Sequence, residues 1–301
     1  MLKNKVVIGT WSLSGDLGRV TKKNFFSTVD YAIDSGFYEF DLAPNYGKGK
    51  IENYFSNYKY SNNKNIKLNS KFGNDVNGNK SFLEVDLLKT LENTFSKIGK
   101  LNILFLHNPR NEINDWDKIF KLFDELKNNN LIAYSGISLA KNFKYQTNIL
   151  NNFDYVQDEV NLLNFSSLKF INKLKTKFMA RSPLATGLLS NEYSVNKKYS
   201  KTDYRHAWLN GQRLKIIDMQ IQEIKKIIGN DIETFSKFFL ISQKKINQII
   251  FGVKSIDHIK KIKNFSLKKE DLEKFNKQII KVYNLEKNFF NLDKKYKKLF
   301  Y

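Results

Sequence analysis

The sequence predicts an α/β fold, a single-domain (β/α)8 or TIM barrel. Three observations lead there. Short apolar runs alternate with longer amphipathic stretches along the chain, the pattern of strands paired in parallel across helical crossovers. Eight such units fit within 301 residues, the size of one closed barrel. The Gly-x-Gly-x-x-Gly turn that opens most doubly wound nucleotide-binding sheets is missing, since the first strand ends in Gly9-Thr10-Trp11. An open doubly wound sheet is the alternative.

Lys5–Thr10 reads as the first strand and Lys22–Ser35 as the first helix, with Thr21 as its N-cap and Gly36 as its stop. Phe37–Asp41, Ile66–Lys71 and Leu101–His107 are the next strands, each followed by a helix: Gly49–Tyr58, Phe82–Ile98 and Trp116–Asn128. Leu131–Ser138 is a strand with a short helix after it, and Tyr155–Val160 a strand followed by a helix over Ser167–Lys175. Phe178–Arg181 is the seventh strand, followed by helices at Arg213–Ile228 and Asp231–Ser242. Gln248–Gly252 is the last strand, with Ile256–Lys263 and Lys269–Leu285 helical behind it. No Pro-, Gly- and Ser-rich linker divides the chain, so residues 1–301 form one domain, with a terminal helix and tail from about residue 266.

Composition narrows the function. Without cysteine the chain has no disulfide, thiolate metal site or cysteine nucleophile. His107, His206 and His258 are far apart and no His-Glu-x-x-His occurs, so no metal is expected. No apolar run approaches the roughly 20 residues of a membrane span, and no leader pattern is read behind Met1. A cytoplasmic protein with no membrane partner is expected. The net charge is +21, with lysines scattered throughout and densest in Asp293–Tyr301. This reads as solvated basic faces, and a positive field also attracts an anionic cofactor. A nucleic-acid partner rests on charge alone, without a recognised binding module.

If the barrel forms, its chemistry gathers at the C-terminal strand ends. Asp41, Lys71 and His107 end strands two, three and four, and Tyr46 follows Asp41 in the next loop. Each alone is ordinary, and most of the 15 tyrosines pack. Together they suit carbonyl reduction, which needs hydride at carbon and a proton at oxygen. A phenol can donate that proton, and a nearby ammonium pulls its high pKa toward working pH. Lys71 is the candidate ammonium, Asp41 its partner, and His107 a hydrogen-bond donor that orients the substrate oxygen.

The segment Phe40–Gly47 (FDLAPNYG), with Ser70–Gly73 (SKFG) and Leu106–Pro109 (LHNP), resembles the aldo-keto reductase family over roughly residues 5 to 270. The family's catalytic tetrad then falls on Asp41, Tyr46, Lys71 and His107. Val156–Phe165 is similar to the family's sixth strand, which implies that Gln157, with Ser138, holds the nicotinamide carboxamide. Ala180–Ser190 resembles the seventh strand and its loop. There Arg181 stacks on the nicotinamide, and Ser182, Leu184, Gly187 and Leu189 line the pyrophosphate channel. Gly9, Thr10, Trp11, Asp41 and Gly252 border the same site. Ile250–Phe265 resembles the segment that binds the adenosine 2′-phosphate, at Lys254, Ser255 and the next helix N-terminus, with His258 or Lys261 adding contacts. The resemblance implies NADPH, with NADH open, and a small-molecule carbonyl substrate. A barrel that binds the nicotinamide cofactor without turnover, as a sensor or regulatory subunit, is the second reading.

The chain departs from the family in four places. The hairpin expected before the first strand is shortened, Leu139 and Ile262 stand where asparagines are usual, and Phe251 replaces a proline. Substrate choice belongs to Ser12–Val20, Asn108–Asp115 and Ser190–Arg213. Within the last, Asp203–Arg213 is a candidate cover for the site, and Arg205 and His206 suggest an anionic or sugar-like carbonyl. The stretch after Asn284 and the oligomeric state are left open.

Overall fold

Parallel strands buried on both faces require helices outside them, and the strands here carry apolar runs such as Val6–Ile8, Ile103–Leu106 and Ile249–Phe251. In the computed structural model they close into one barrel, β1 to β8 in sequence order. They are Val6–Gly9, Glu39–Asp41, Lys67–Phe72, Leu101–His107, Ile132–Ser138, Tyr155–Glu159, Lys177–Arg181 and Ile246–Gly252. The last closes on the first in parallel, from Val6 opposite Ile249 to Gly9 opposite Gly252. The structure describes residues 3–56, 60, 63–109, 113, 115–140, 146–209, 211–266, 269–285 and 289.

Alternation along the strands sorts the side chains into two cores. Val7, Ile103, Phe105, Tyr155, Met179 and Ile250 fill the barrel interior. A larger cluster, including Phe25, Phe40, Phe55, Phe123, Phe178 and Phe239, lies between strands and helices. Gly136 on β5 is required by this packing, since a Cβ there would overlap the Phe105 ring. Below the interior layer, Glu39 accepts from Asn69 Nδ2 at 2.8 Å and from Gln248 Nε2 at 2.8 Å.

The helix Lys22–Asp34 begins as expected, with Thr21 Oγ1 accepting from Asn24 N. It ends at Gly36, whose φ of +80° lets the Phe37 N–H reach back to Ala32 O. The hairpin position ahead of β1 holds one 3-10 turn, Lys3–Lys5, whose Lys5 Nζ donates to Ile246 O.

Two expectations change. The helix over Ser167–Lys175 is a single turn, Leu168–Ile171. Ser167 does not cap it but donates to Asp158 Oδ2, and the following residues wind into three-residue turns at Lys173 and Leu174. The loop Ser190–Arg213 contains a short helix, Tyr204–Trp208, capped by Asp203 on Arg205 N. Among the described residues no helix is long and apolar enough to cross a membrane. The basic tail Asp293–Tyr301, and residues 110–112 and 114 of the Asn108–Asp115 loop, lie outside the described residues.

Candidate active site

The C-terminal ends of β2, β3 and β4 bring Asp41, Lys71 and His107 to the floor of one cavity, and the loop after β2 folds Tyr46 in beside them. Lys71 is 1 % exposed. Its ammonium spends three donors on Asp41 Oδ2 at 2.7 Å, Leu42 O at 2.7 Å and Tyr46 Oη at 3.2 Å. Because Lys71 donates to Oη, the phenolic hydrogen of Tyr46 stays free for another acceptor. Burial opposes the Lys71 charge, but the Asp41 carboxylate and Tyr46 outweigh it and raise the pKa.

The Tyr46 phenol differs from expectation. Burial pushes it up, and the Lys71 ammonium offsets this only in part. Without a ligand the group therefore holds its proton more tightly than a free tyrosine. Sequence supplied the neighbouring charge but not the desolvation.

Asp41 has a second tie. Its Oδ1 accepts from Gln157 Nε2 at 3.1 Å, and Gln157 Oε1 accepts from Ser138 Oγ at 2.8 Å. Ser138, Gln157, Asp41, Lys71 and Tyr46 thus form one chain of polar contacts across the barrel mouth.

His107 is 6 % exposed, and its Nδ1 lies 3.2 Å from Asn74 Nδ2. Burial, then the Lys71 and Arg181 charges, hold its pKa well below the usual imidazole value, so the ring is neutral. Asn74 escaped the sequence reading because nothing in its local pattern distinguishes it from a loop asparagine.

The cavity continues from this floor as a groove of about 940 Å3, at the upper end of the roughly 300–1,000 Å3 of small-molecule sites. Gly9, Trp11, Ser138, Gln157, Arg181, Ser182, Leu184, Gly187, Gly252, Lys254 and His258 line it. Three expected members, Thr10, Leu189 and Ser255, do not. Thr10 is fully buried and donates through Oγ1 to Asp41 O at 2.7 Å, joining β1 to β2. Leu189 is fully buried in the outer core. The left-handed turn at Thr186, φ +59°, presents Thr186 to the groove instead.

Arg181 reaches Leu139 O at 3.1 Å. Ser255 stands at the N-cap of Ile256–Lys263 with no side-chain cap bond, next to Lys254. His258 Nδ1 accepts from the Lys254 N–H, and burial lowers its pKa. Lys261 pairs with Glu192 at 2.7 Å.

The segment from Asp203 lies across the groove. Arg205 binds Asp203 at 2.7 Å and donates to Leu17 O and Thr186 O, while Lys254 Nζ donates to the same Leu17 O at 3.0 Å. Arg205 and His206, the residues behind the expected anionic or sugar-like carbonyl, are both engaged within the protein. Arg205 is spent on holding the cover, and His206 Nδ1 sits 3.0 Å from Tyr199 O. The walls near Tyr46 and His107 are made instead by Trp11, Asn45, Lys48, Asn77, Asn108 and Tyr204.

Comparison with known proteins agrees with this architecture. A family model described as the aldo/keto reductase family matches residues 5–280. No curated protein matches the chain. Among solved structures, the glycerol dehydrogenase AKR11B4 from Gluconobacter oxydans superposes with a TM-score of 0.71 at 16% identity, covering 92% of this chain and 91% of that one. The holo form of aldo-keto reductase AKR11C1 from Bacillus halodurans gives 0.70 at 16% identity, covering 91% of each. At such identities the structural likeness speaks to the fold.

Proposed function

We propose that this chain, which belongs to the aldo/keto reductase family, reduces an aldehyde or ketone with NADPH, using Tyr46 as proton donor. Its family makes it an NAD(P)H-dependent oxidoreductase acting on carbonyl groups. The reading of this site rests on one observation above the others: a single buried ammonium, Lys71, touches both Asp41 and the Tyr46 hydroxyl.

The donor set fits a nicotinamide dinucleotide. The Arg181 guanidinium plane, the Ser138–Gln157 pair and the left-handed turn from Ser182 to Gly187 line one continuous groove. It ends near Lys254, the uncapped Ser255 hydroxyl and a helix N-terminus, a combination suited to a phosphate. That end favours NADPH over NADH. The bound cofactor supplies hydride to the carbonyl carbon. Tyr46 gives its free phenolic hydrogen to the carbonyl oxygen as charge develops there. Lys71, 3.2 Å away, stabilises the phenolate left behind. Asp41 fixes Lys71 and balances its charge, while neutral His107 orients the oxygen. Alcohol oxidation uses the same groups in reverse.

Tyr46→Phe tests the reading. Reduction across an aldehyde panel should fall by about 100-fold or more, with NADPH still quenching Trp11 fluorescence. Equal turnover in both proteins would remove Tyr46 from the role. Tighter NADH than NADPH binding would overturn the phosphate assignment at Lys254 and Ser255. Cofactor binding without turnover in the wild type would favour a sensor.

A further inference from the structure

His107 can serve a carbonyl oxygen only if the ring nitrogen facing the cavity carries a hydrogen. A neutral imidazole has one such hydrogen, and the partner of the other nitrogen decides where it sits. Here the ring is buried with Lys71, Arg181 and Lys80 as the charged groups acting on it, all cationic. No carboxylate among them fixes an N–H on the inner nitrogen.

The inner partner is Asn74. It is 5 % exposed, and its Nδ2 lies 3.2 Å from His107 Nδ1. Its own Oδ1 is shut from solvent and has no hydrogen-bond partner among the described residues. The amide is therefore not placed by a contact of its oxygen.

The backbone around Asn74 is built to hold it. β3 is followed by Gly73, φ +99°, where a Cβ would stand 2.8 Å from the Phe82 ring. Asn74 then bridges Lys80 in an antiparallel pair. The intervening turn is fastened by Asp75, whose carboxylate accepts from Asn77 N, Asn79 N and Asn79 Nδ2. Lys80 Nζ donates to Asn108 O at 3.0 Å, so the same small hairpin grips the residue after His107. Asn108 itself takes a left-handed φ of +52°.

We propose that Asn74 is a positioning residue that donates to Nδ1 of His107 and so fixes the neutral tautomer with its hydrogen on Nε2, the form that can donate to the carbonyl oxygen. The inference rests on the reductase reading for its consequence, but the tautomer is measurable without any substrate. An asparagine does here what a carboxylate could not. A carboxylate would accept from Nδ1–H and favour the imidazolium, placing another positive charge beside Lys71.

The test is 15N NMR of the holoprotein labelled at histidine, with His206 and His258 assigned by substitution. Wild-type His107 should be neutral with a protonated Nε2 from pH 5.5 to 8, and kcat/KM for reduction should show no break from His107 in that range. Asn74→Asp should move the ring hydrogen to Nδ1 or give the imidazolium, and introduce a new ionisation into the pH profile. Asn74→Leu, which removes the donor, should lower kcat/KM by about 10- to 100-fold. Observing Nδ1–H in the wild type overturns the proposal, as does an Asn74→Asp protein with unaltered His107 shifts and pH profile. If neither variant folds, the wild-type tautomer alone decides. Failure of all turnover with the Nε2–H tautomer present would instead strike the reductase reading.

Discussion

Lys71→Met gives the sharpest test of the electrostatics. The ammonium stands 3.2 Å from Tyr46 Oη. At an effective dielectric constant of about 20, a unit charge at that distance favours the phenolate by about 5 kcal/mol, or about four pH units. Burial already holds the phenol above its ordinary value with Lys71 present, so removing Lys71 raises it further. Alcohol oxidation is the direction to assay, because it needs the phenolate as base. Below the phenol pKa its rate rises tenfold per pH unit. At fixed pH the variant should therefore lose about 10^3- to 10^4-fold in kcat, with its basic limb displaced upward. Breaking the buried pair also leaves Asp41 without its cation, a cost of about 3–5 kcal/mol. Cofactor binding checks that the variant is folded, and Asp41→Asn/Lys71→Met removes both charges if it is not. A loss under tenfold with an unmoved pH limb would refute the role of Lys71.

Glu52 is fully buried, accepts from Ser70 and Thr94, and has its Oε2 unpartnered among the described residues. Burial raises its pKa above the ordinary 4.5. Its contribution to stability is thus fully present below that value and is lost as pH rises through the folded pKa. Glu52→Gln should gain in Tm relative to wild type as pH goes from 5 to 8, and a pH-independent difference would contradict the assignment. Gly136→Ala drives a Cβ into Phe105 and should cost about 1–3 kcal/mol in chemical denaturation. Unchanged stability would mean the interior layer is looser than its geometry implies.

The barrel was legible because its strands are apolar runs of strand length separated by helix-length amphipathic stretches, a signal carried by the chain locally. Asp41, Lys71 and His107 were legible as polar residues at the ends of such runs, where the fold converges. What escaped depends on three dimensions. Leu189 and Thr186 exchange places because consecutive left-handed residues, Ala185, Thr186 and Gly187, turn the chain over. Thr10 faces β2 rather than the groove. The direction of the Tyr46 pKa required the depth of burial as well as the neighbouring charge. Arg205 was visible as a cation, but its partners Leu17 and Thr186 are 188 and 19 residues away.

Asp16 is the residue where these parts meet, and it carried no sequence signal beyond its place in Ser12–Val20. Its Oδ2 accepts from Trp11 Nε1 at 3.1 Å and from Gly47 N at 3.0 Å. Its backbone oxygen accepts from Tyr204 N at 2.7 Å. One side chain thus joins the indole wall to the loop that carries Tyr46, while the backbone fastens the segment over the groove. Trp11 packs on Tyr46 with ring centroids 6.3 Å apart and on Tyr204 at 5.4 Å, which closes the same circuit. Asp16→Ala removes the two side-chain contacts and spares the one to Tyr204. Cofactor affinity should change little, because the cover retains Arg205 and its carbonyl partners. Placement of Tyr46 should suffer, and kcat should fall by about 10- to 100-fold, the loss that follows a displacement of about 1 Å in a catalytic group. Fluorescence titration with NADPH and single-turnover reduction separate the two effects. A variant that loses cofactor affinity in proportion to kcat would show that Asp16 serves the cover, and the coupling to Tyr46 would have to be given up.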